Sequence, residues 1–167
     1  MLGKALYHES GPVAVRYPRG EEGEYVESDC SAERILREGS DLTIVCYGTL
    51  INEVLPAVRA LSESGISAEV VKLGKLKPND FSLTLQSLKK TGRLLAVEEV
   101  CGQGCMGERI LAQAAQNHVS IADVRLLNLG SGIVPHGKIR ELWHTYHLDC
   151  EGIVSAAQEL IGGGRDV

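Results

Sequence analysis

Four short apolar runs constrain this chain more than any other feature: Leu42–Tyr47, Ile66–Leu73, Leu94–Val100 and Val124–Leu129. Each is rich in Val, Ile and Leu and bounded by turn residues, the pattern of strands buried on both faces. Segments of helical spacing lie between them. Ile51, Val54, Val58 and Leu61 recur every three or four residues and stop at Ser64-Gly65, a helix-ending signal. Pro56 falls inside that segment and predicts a kink or a later start. Phe81, Leu85 and Leu88 repeat the spacing after Pro78-Asn79-Asp80, a breaker followed by capping residues. Ile110, Leu111 and Ala114 mark a third helix beyond the glycines at 102–107, and Pro135-His136-Gly137 is a turn leading into a helix around Ile139–Tyr146. Strands alternating with helices imply an α/β fold, a mostly parallel sheet with helices on both faces. Ala32–Arg37, ahead of Glu38-Gly39-Ser40, reads as a hairpin partner of the first buried strand and adds an antiparallel edge.

Composition narrows the function classes. The 167 residues have room for one ordinary domain with a short appendage. A net charge of −5 supplies no basic stripe for phosphate contacts, which argues against nucleic acid. No apolar run approaches the roughly 18 residues of a membrane span, and Met1–Ser10 lacks the basic and apolar regions of a secretory signal. Cys30, Cys46, Cys101, Cys105 and Cys150 are odd in number and follow no framework, a usage expected of a reducing, cytoplasmic compartment.

The two ends differ from the middle. Residues 1–16 hold a helical scrap, Leu2–Tyr7, and a strand-like Pro12–Arg16, too little for a domain, and read as the remnant of a preceding one. Residues 17–31, with Pro18, Gly20, Gly23 and five acidic side chains, read as a linker, 32–161 as the α/β domain, and 162–167 as a frayed tail.

Candidate sites are sparse. Gly102-Gln103-Gly104-Cys105-Met106-Gly107 matches G-x-G-x-x-G between a strand and a helix, where a dinucleotide would lay its pyrophosphate. Glu98 and Glu99 just before it would repel a diphosphate, and the next strand ends in Asn128-Leu129-Gly130 without the ribose-binding acid. A tight turn for close helix–strand packing is the competing account, and the motif alone is a weak signal. Cys101 and Cys105 are four apart, unlike a C-x-x-C site, and read as structural or incidental thiols. His144, His147 and Cys150 could touch one metal only if a helix ran through all three, and no carboxylate completes the set. His136 reads as a turn histidine. Arg16 and Arg19 flank a Tyr-Pro corner at a strand end. Their planar forks suit a phosphate oxyanion or, equally, salt bridges to Glu21, Glu22 or Glu24.

Arg16-Tyr17-Pro18-Arg19-Gly20 resembles the end of the pyrimidine-binding domain of the transketolase-like thiamine diphosphate enzymes, most closely the 1-deoxy-D-xylulose-5-phosphate synthase branch. The resemblance continues through Glu38–Leu50 with its Gly48-Thr49 turn, Lys77-Pro78-Asn79-Asp80, Glu98-Glu99 with Gly102–Gly107, His136-Gly137 with Glu141-Leu142, and Leu148-Asp149 with Gly152-Ile153. Departures are Gly74, where the branch carries arginine, Leu129–Val134, which stands in place of the branch's acidic-plus-arginine segment, and Pro56. The resemblance implies a three-layer α/β/α C-terminal domain with a five-stranded sheet and one antiparallel edge strand. It implies a fragment without catalytic, cofactor-binding or metal residues of its own, since thiamine diphosphate and Mg²⁺ are held by earlier domains of the parent. It makes Arg16 a substrate-binding residue for the acceptor's phosphate, with Arg19 a weaker candidate. The implied partners are the parent's remaining domains and, at full length, a second copy in a homodimer. A paralogue with another acceptor, a stand-alone nucleotide-binding protein using Gly102–Gly107, and a pure interaction domain are the alternatives.

Overall fold

A computed structural model describes residues 2–8, 10–14, 23–27, 31–77 and 79–163. Helix α1 spans Leu2–Tyr7, with Leu6 and Tyr7 exposed. Strands β1 (Glu33–Arg37), β2 (Leu42–Tyr47), β3 (Ala68–Leu73), β4 (Arg93–Val97) and β5 (Asp123–Leu127) form one sheet in the order β1-β3-β2-β4-β5. The pairs β2–β3, β2–β4 and β4–β5 are parallel, and β1 runs antiparallel to β3. Helices α2 (Ile51–Glu63), α3 (Ser82–Thr91), α4 (Met106–Gln116), α5 (Ile139–Thr145) and α6 (Cys150–Gly162) complete the element order.

Strand alternation builds the layers. Leu42, Ile44 and Cys46 of β2, with Val70 and Leu95, turn to one face and pack with Val54, Val58 and Leu61 of α2 and Ile153, Ala157 and Leu160 of α6. Val45, Val71 and Leu94 turn to the other face against Leu85 and Leu88 of α3 and Ile110 and Ala114 of α4. Thr43 lies among them, its hydroxyl 2.6 Å from that of Ser87 and 2.7 Å from that of Thr91, so a buried polar side chain of the central strand is satisfied from α3. The result is the expected three-layer α/β/α arrangement.

One pairing departs from the sequence reading. β1 is an antiparallel edge strand, yet its partner is β3, not β2. Both edges of β2 are taken by parallel neighbours, which suits the most apolar run, while β1 carries Glu33, Arg34 and Arg37, side chains that an edge tolerates. Helix α2 starts at Ile51 despite Pro56, directly after a short 3₁₀ turn at Gly48–Leu50, so the later start does not occur. Pro12–Ala14 form no strand, and Val15 and Arg16 lie outside the described residues. Asn79 and Asp80 do bond the backbone that leads into α3, accepting from the Phe81 and Ser82 amides. Glu33 adds the amide of Leu83 at 2.6 Å and the hydroxyl of Thr84 at 2.5 Å, so the edge strand caps the helix on its own face.

Candidate functional site

The helices after β2 and β4 leave for opposite faces of the sheet, α2 to one and α4 to the other. Between two such neighbouring strands the carboxyl ends open a crevice, where α/β proteins ordinarily bind ligands. Tyr47 and Glu98 stand there. Glu98 is buried and accepts from the amides of Met106 and Gly107, both at 2.7 Å, and from the Tyr47 hydroxyl at 3.1 Å. Glu108 accepts from the Gly104 amide at 2.6 Å. The amides that a pyrophosphate would use at this helix N-terminus are therefore held by the chain's own carboxylates. Burial, followed by the Glu98 charge and hydrogen bond, raises the Tyr47 phenol above its ordinary value and keeps it a donor.

Gly107 shows what the glycine motif is for. A Cβ there would lie 2.5 Å from Leu126 Cδ2 and 3.1 Å from Ala96 Cβ, so glycine lets α4 press onto β4 and β5. The tight-packing account of Gly102–Gly107 fits this contact. Glu98 does more than repel a diphosphate from nearby, since it occupies the diphosphate's place.

A second polar cluster joins α5 to α6. Asp149 Oδ1 accepts from the Gly152 amide at 3.0 Å, an N-cap, and its Oδ2 lies 2.7 Å from His144 Nδ1. Glu53 of α2 accepts from the Cys150 amide at 3.1 Å. A shallow cleft of about 190 Å³ is lined by Glu53, Arg140, Trp143 and Asp149. The hydrogen bond and charge of Asp149 raise the His144 imidazolium above its ordinary value. For Asp149, burial pulls upward, but His144 and the Gly152 amide outweigh it and hold the carboxyl below the usual range. The helix that a His144–His147–Cys150 metal site requires is interrupted. α5 ends at Thr145, His147 adopts a left-handed φ of 58°, and α6 begins at Cys150. Among the described residues no group of three or more His, Cys, Asp or Glu is placed to hold a metal ion.

The remaining predicted residues are scattered. Arg16, Arg19 and Cys30 lie outside the described residues. His136 is exposed in its turn, Cys101 is exposed, and Cys105 is buried. Burial pushes the Cys46 thiol up to about 12, with a smaller opposite pull from Lys72, and burial also raises the Cys105 and Cys150 thiols. Cys46 and Cys105 are buried and Cys150 is half-buried, and a raised pKa disfavours the nucleophilic thiolate in all three. Sequence reasoning passed over Tyr47 and Lys72. Their signal was a polar residue inside or closing a run that is otherwise apolar, which demands a partner from elsewhere.

These features define a three-layer α/β domain whose ligand crevice is closed from within. The chain belongs to the family described as "Transketolase, C-terminal domain", whose pattern matches residues 32–153. Two curated relatives are similar over nearly its whole length. The 1-deoxy-D-xylulose-5-phosphate synthase of Halothermothrix orenii is 33% identical over 90% of this chain and 24% of its own. That of Heliobacterium modesticaldum is 34% identical over 99% of this chain and 26% of its own. The chain thus spans about a quarter of the length of these relatives. Among solved structures, "Split gene transketolase, inactive beta4 tetramer" superposes with a TM-score of 0.70 at 26% identity, covering 82% of this chain and 44% of that one. A transketolase from Pichia stipitis shares the fold, with a TM-score of 0.57 at 19% identity over 80% of this chain and 18% of that one.

Proposed function

We propose that this chain is the C-terminal domain of a thiamine-diphosphate enzyme of the 1-deoxy-D-xylulose-5-phosphate synthase type. Its role is structural support and dimer contact, without catalysis of its own. The observation that carries the reading is similarity along 99% of this chain to a synthase of which it spans only 26%. The closed crevice supports it, because Glu98 and Glu108 leave the N-terminus of α4 no amide cradle for a diphosphate. The N-terminus of α4 therefore does not fit a diphosphate, and thiamine diphosphate and its metal would be held by other domains of the parent. There the parent would join a two-carbon unit from pyruvate to glyceraldehyde 3-phosphate, a transferase reaction feeding isoprenoid precursors, in a soluble cytoplasmic homodimer. Arg16 would contact the acceptor's phosphate, since its guanidinium fork matches an oxyanion. Residues 1–16 would be the end of the preceding domain and 32–161 the C-terminal domain proper.

The test is carboligase activity from pyruvate and glyceraldehyde 3-phosphate with thiamine diphosphate and Mg²⁺, on the 167-residue chain and on its full-length parent. Activity is expected in the parent alone, with Arg16→Ala raising KM for the acceptor. Turnover by the 167-residue chain would refute the non-catalytic role, and an inactive parent would refute the synthase reading.

A further inference from the structure

The two edges of the sheet are built differently. Among the described residues, β1 and β5 each have a single strand neighbour. β1 carries Glu33, Arg34 and Arg37, and its register with β3 slips between Ile35 and Arg37, an irregularity that makes this edge a poor template for another strand. β5 pairs with β4 in unbroken register from Asp123 to Leu127 and contains neither proline nor lysine. The Leu127 carbonyl accepts from the Glu98 amide at 2.9 Å, so the odd-numbered residues of β5 turn their backbone groups to β4. The amides and carbonyls of Val124 and Leu126 therefore point outward, and Val124 is 40% exposed.

Side chains alternate along this edge. Leu126 packs with the α3–α4 layer, whereas Arg125 reaches Glu159 of α6 at 2.9 Å on the other face. Asp123 shares that face with Arg125 and pairs with Arg93 at 3.3 Å. The Asp123 and Arg125 side chains are 37% and 50% exposed, so each can meet a second charge from outside. An antiparallel copy of β5 centred on Val124 supplies it. Val124 then faces Val124 of the copy, with outward amides and carbonyls on both chains for the two bonds of a hydrogen-bonded pair. On either side, Asp123 comes opposite Arg125 of the copy. Charges alternate across the junction, from Arg93 to Asp123 and on to Arg125 and Glu159 of the copy, and again in the reverse direction. A centre on Arg125 would set that cation against itself, and one on Leu126 would leave Arg125 opposite Leu127. We propose that β5 is the edge through which two copies of this chain join into one continuous sheet about a twofold axis at Val124, with Asp123 and Arg125 fixing the register. The pairing gives the dimer contact proposed above a surface, and it rests on the sheet rather than on the synthase reading.

The test is sedimentation velocity of the 167-residue chain, which is expected to move from monomer toward dimer as concentration rises. A chain still monomeric at about 1 mM overturns the proposal. Val124→Pro removes an amide that β4 does not use, so the fold is kept and the dimer is lost. A dimer that persists in this variant, with circular dichroism unchanged, overturns the edge. Asp123→Arg and Arg125→Glu each set like charges opposite one another at both contacts, and each weakens self-association about tenfold. Mixed in equal amounts, the two variants meet with opposite charges at both contacts and associate as tightly as the native chain. Damage to the fold of either variant would not produce that recovery. A mixture no tighter than its separate components overturns the register. Carboligase activity of the parent decides the synthase reading separately, whichever way these results fall.

Discussion

Glu98 fills the N-terminus of α4 from within the chain. A carboxylate at the end of β4 satisfies two amides of α4 and the Tyr47 hydroxyl together. Hydrogen bonds to a charged acceptor are among the stronger ones, and their loss leaves buried donors unpaired. Glu98→Ala is therefore expected to lower unfolding free energy in urea by about 3 kcal/mol, with Tyr47→Phe costing about 1 kcal/mol. An effect of Glu98→Ala no larger than that of an exposed substitution such as Glu99→Ala would show that the crevice is not held shut by this residue. In the sequence, Glu98 and Glu99 look alike, and both argue against a diphosphate by charge. Only the fold tells them apart, burying the first and exposing the second. Lys72 was hidden for the same reason, because its partner Glu27 is 45 residues away in the chain.

At the scale of elements, three of the four apolar runs were legible because buried strands need continuous apolar sequence, and β2 emerges with the expected ends, whereas the fourth run forms the edge strand β5, which is not buried on both faces and leaves Val124 exposed. The later part of the run Leu94–Val100 was not strand, since the chain must leave the sheet at Glu98 to bring that carboxylate onto α4. The pairing of β1 was illegible, because period and turn residues fix that a strand exists but not which neighbour has a free edge. The α5–α6 corner, where the sequence reading weighed a His144–His147–Cys150 metal and did not favour it, holds a helix cap with a histidine beside it. His144 has its pKa raised in the folded state, so its stabilising contribution is complete below its ordinary value of 6.5 and fades as pH rises through the folded value. Asp149 has its pKa lowered, so its contribution is present above 3.8 and is lost as pH falls through the folded value. The difference in Tm between the native chain and His144→Asn is thus expected to be greatest near pH 5 and to shrink by about pH 9. A difference that grows with pH would contradict the pairing.

Over the whole molecule, the boundary of the folded unit matters more than its centre. The family match begins at residue 32, and composition places a linker up to 31. The buried cation of β3 nevertheless draws its carboxylate from Glu27. A chain beginning at Gly23 should match the Tm of all 167 residues, since Leu6 and Tyr7 of α1 are exposed and bury little. One beginning at Ser31 should melt about 10 °C lower, because Lys72 then lies buried without the Glu27 carboxylate. Equal melting temperatures for the two would place the true boundary at residue 32.

The antiparallel edge has a consequence for how the molecule is made. Glu33–Arg37 leave the ribosome well before the strand they pair with, and β2 is synthesised in between without offering them an edge. The sheet cannot grow outward in the order of translation. Its first strand must wait, unpaired, until Leu73 has emerged, and the cap that Glu33 provides for α3 waits longer still. The first strand of this sheet to be made is seated only after the two that follow it.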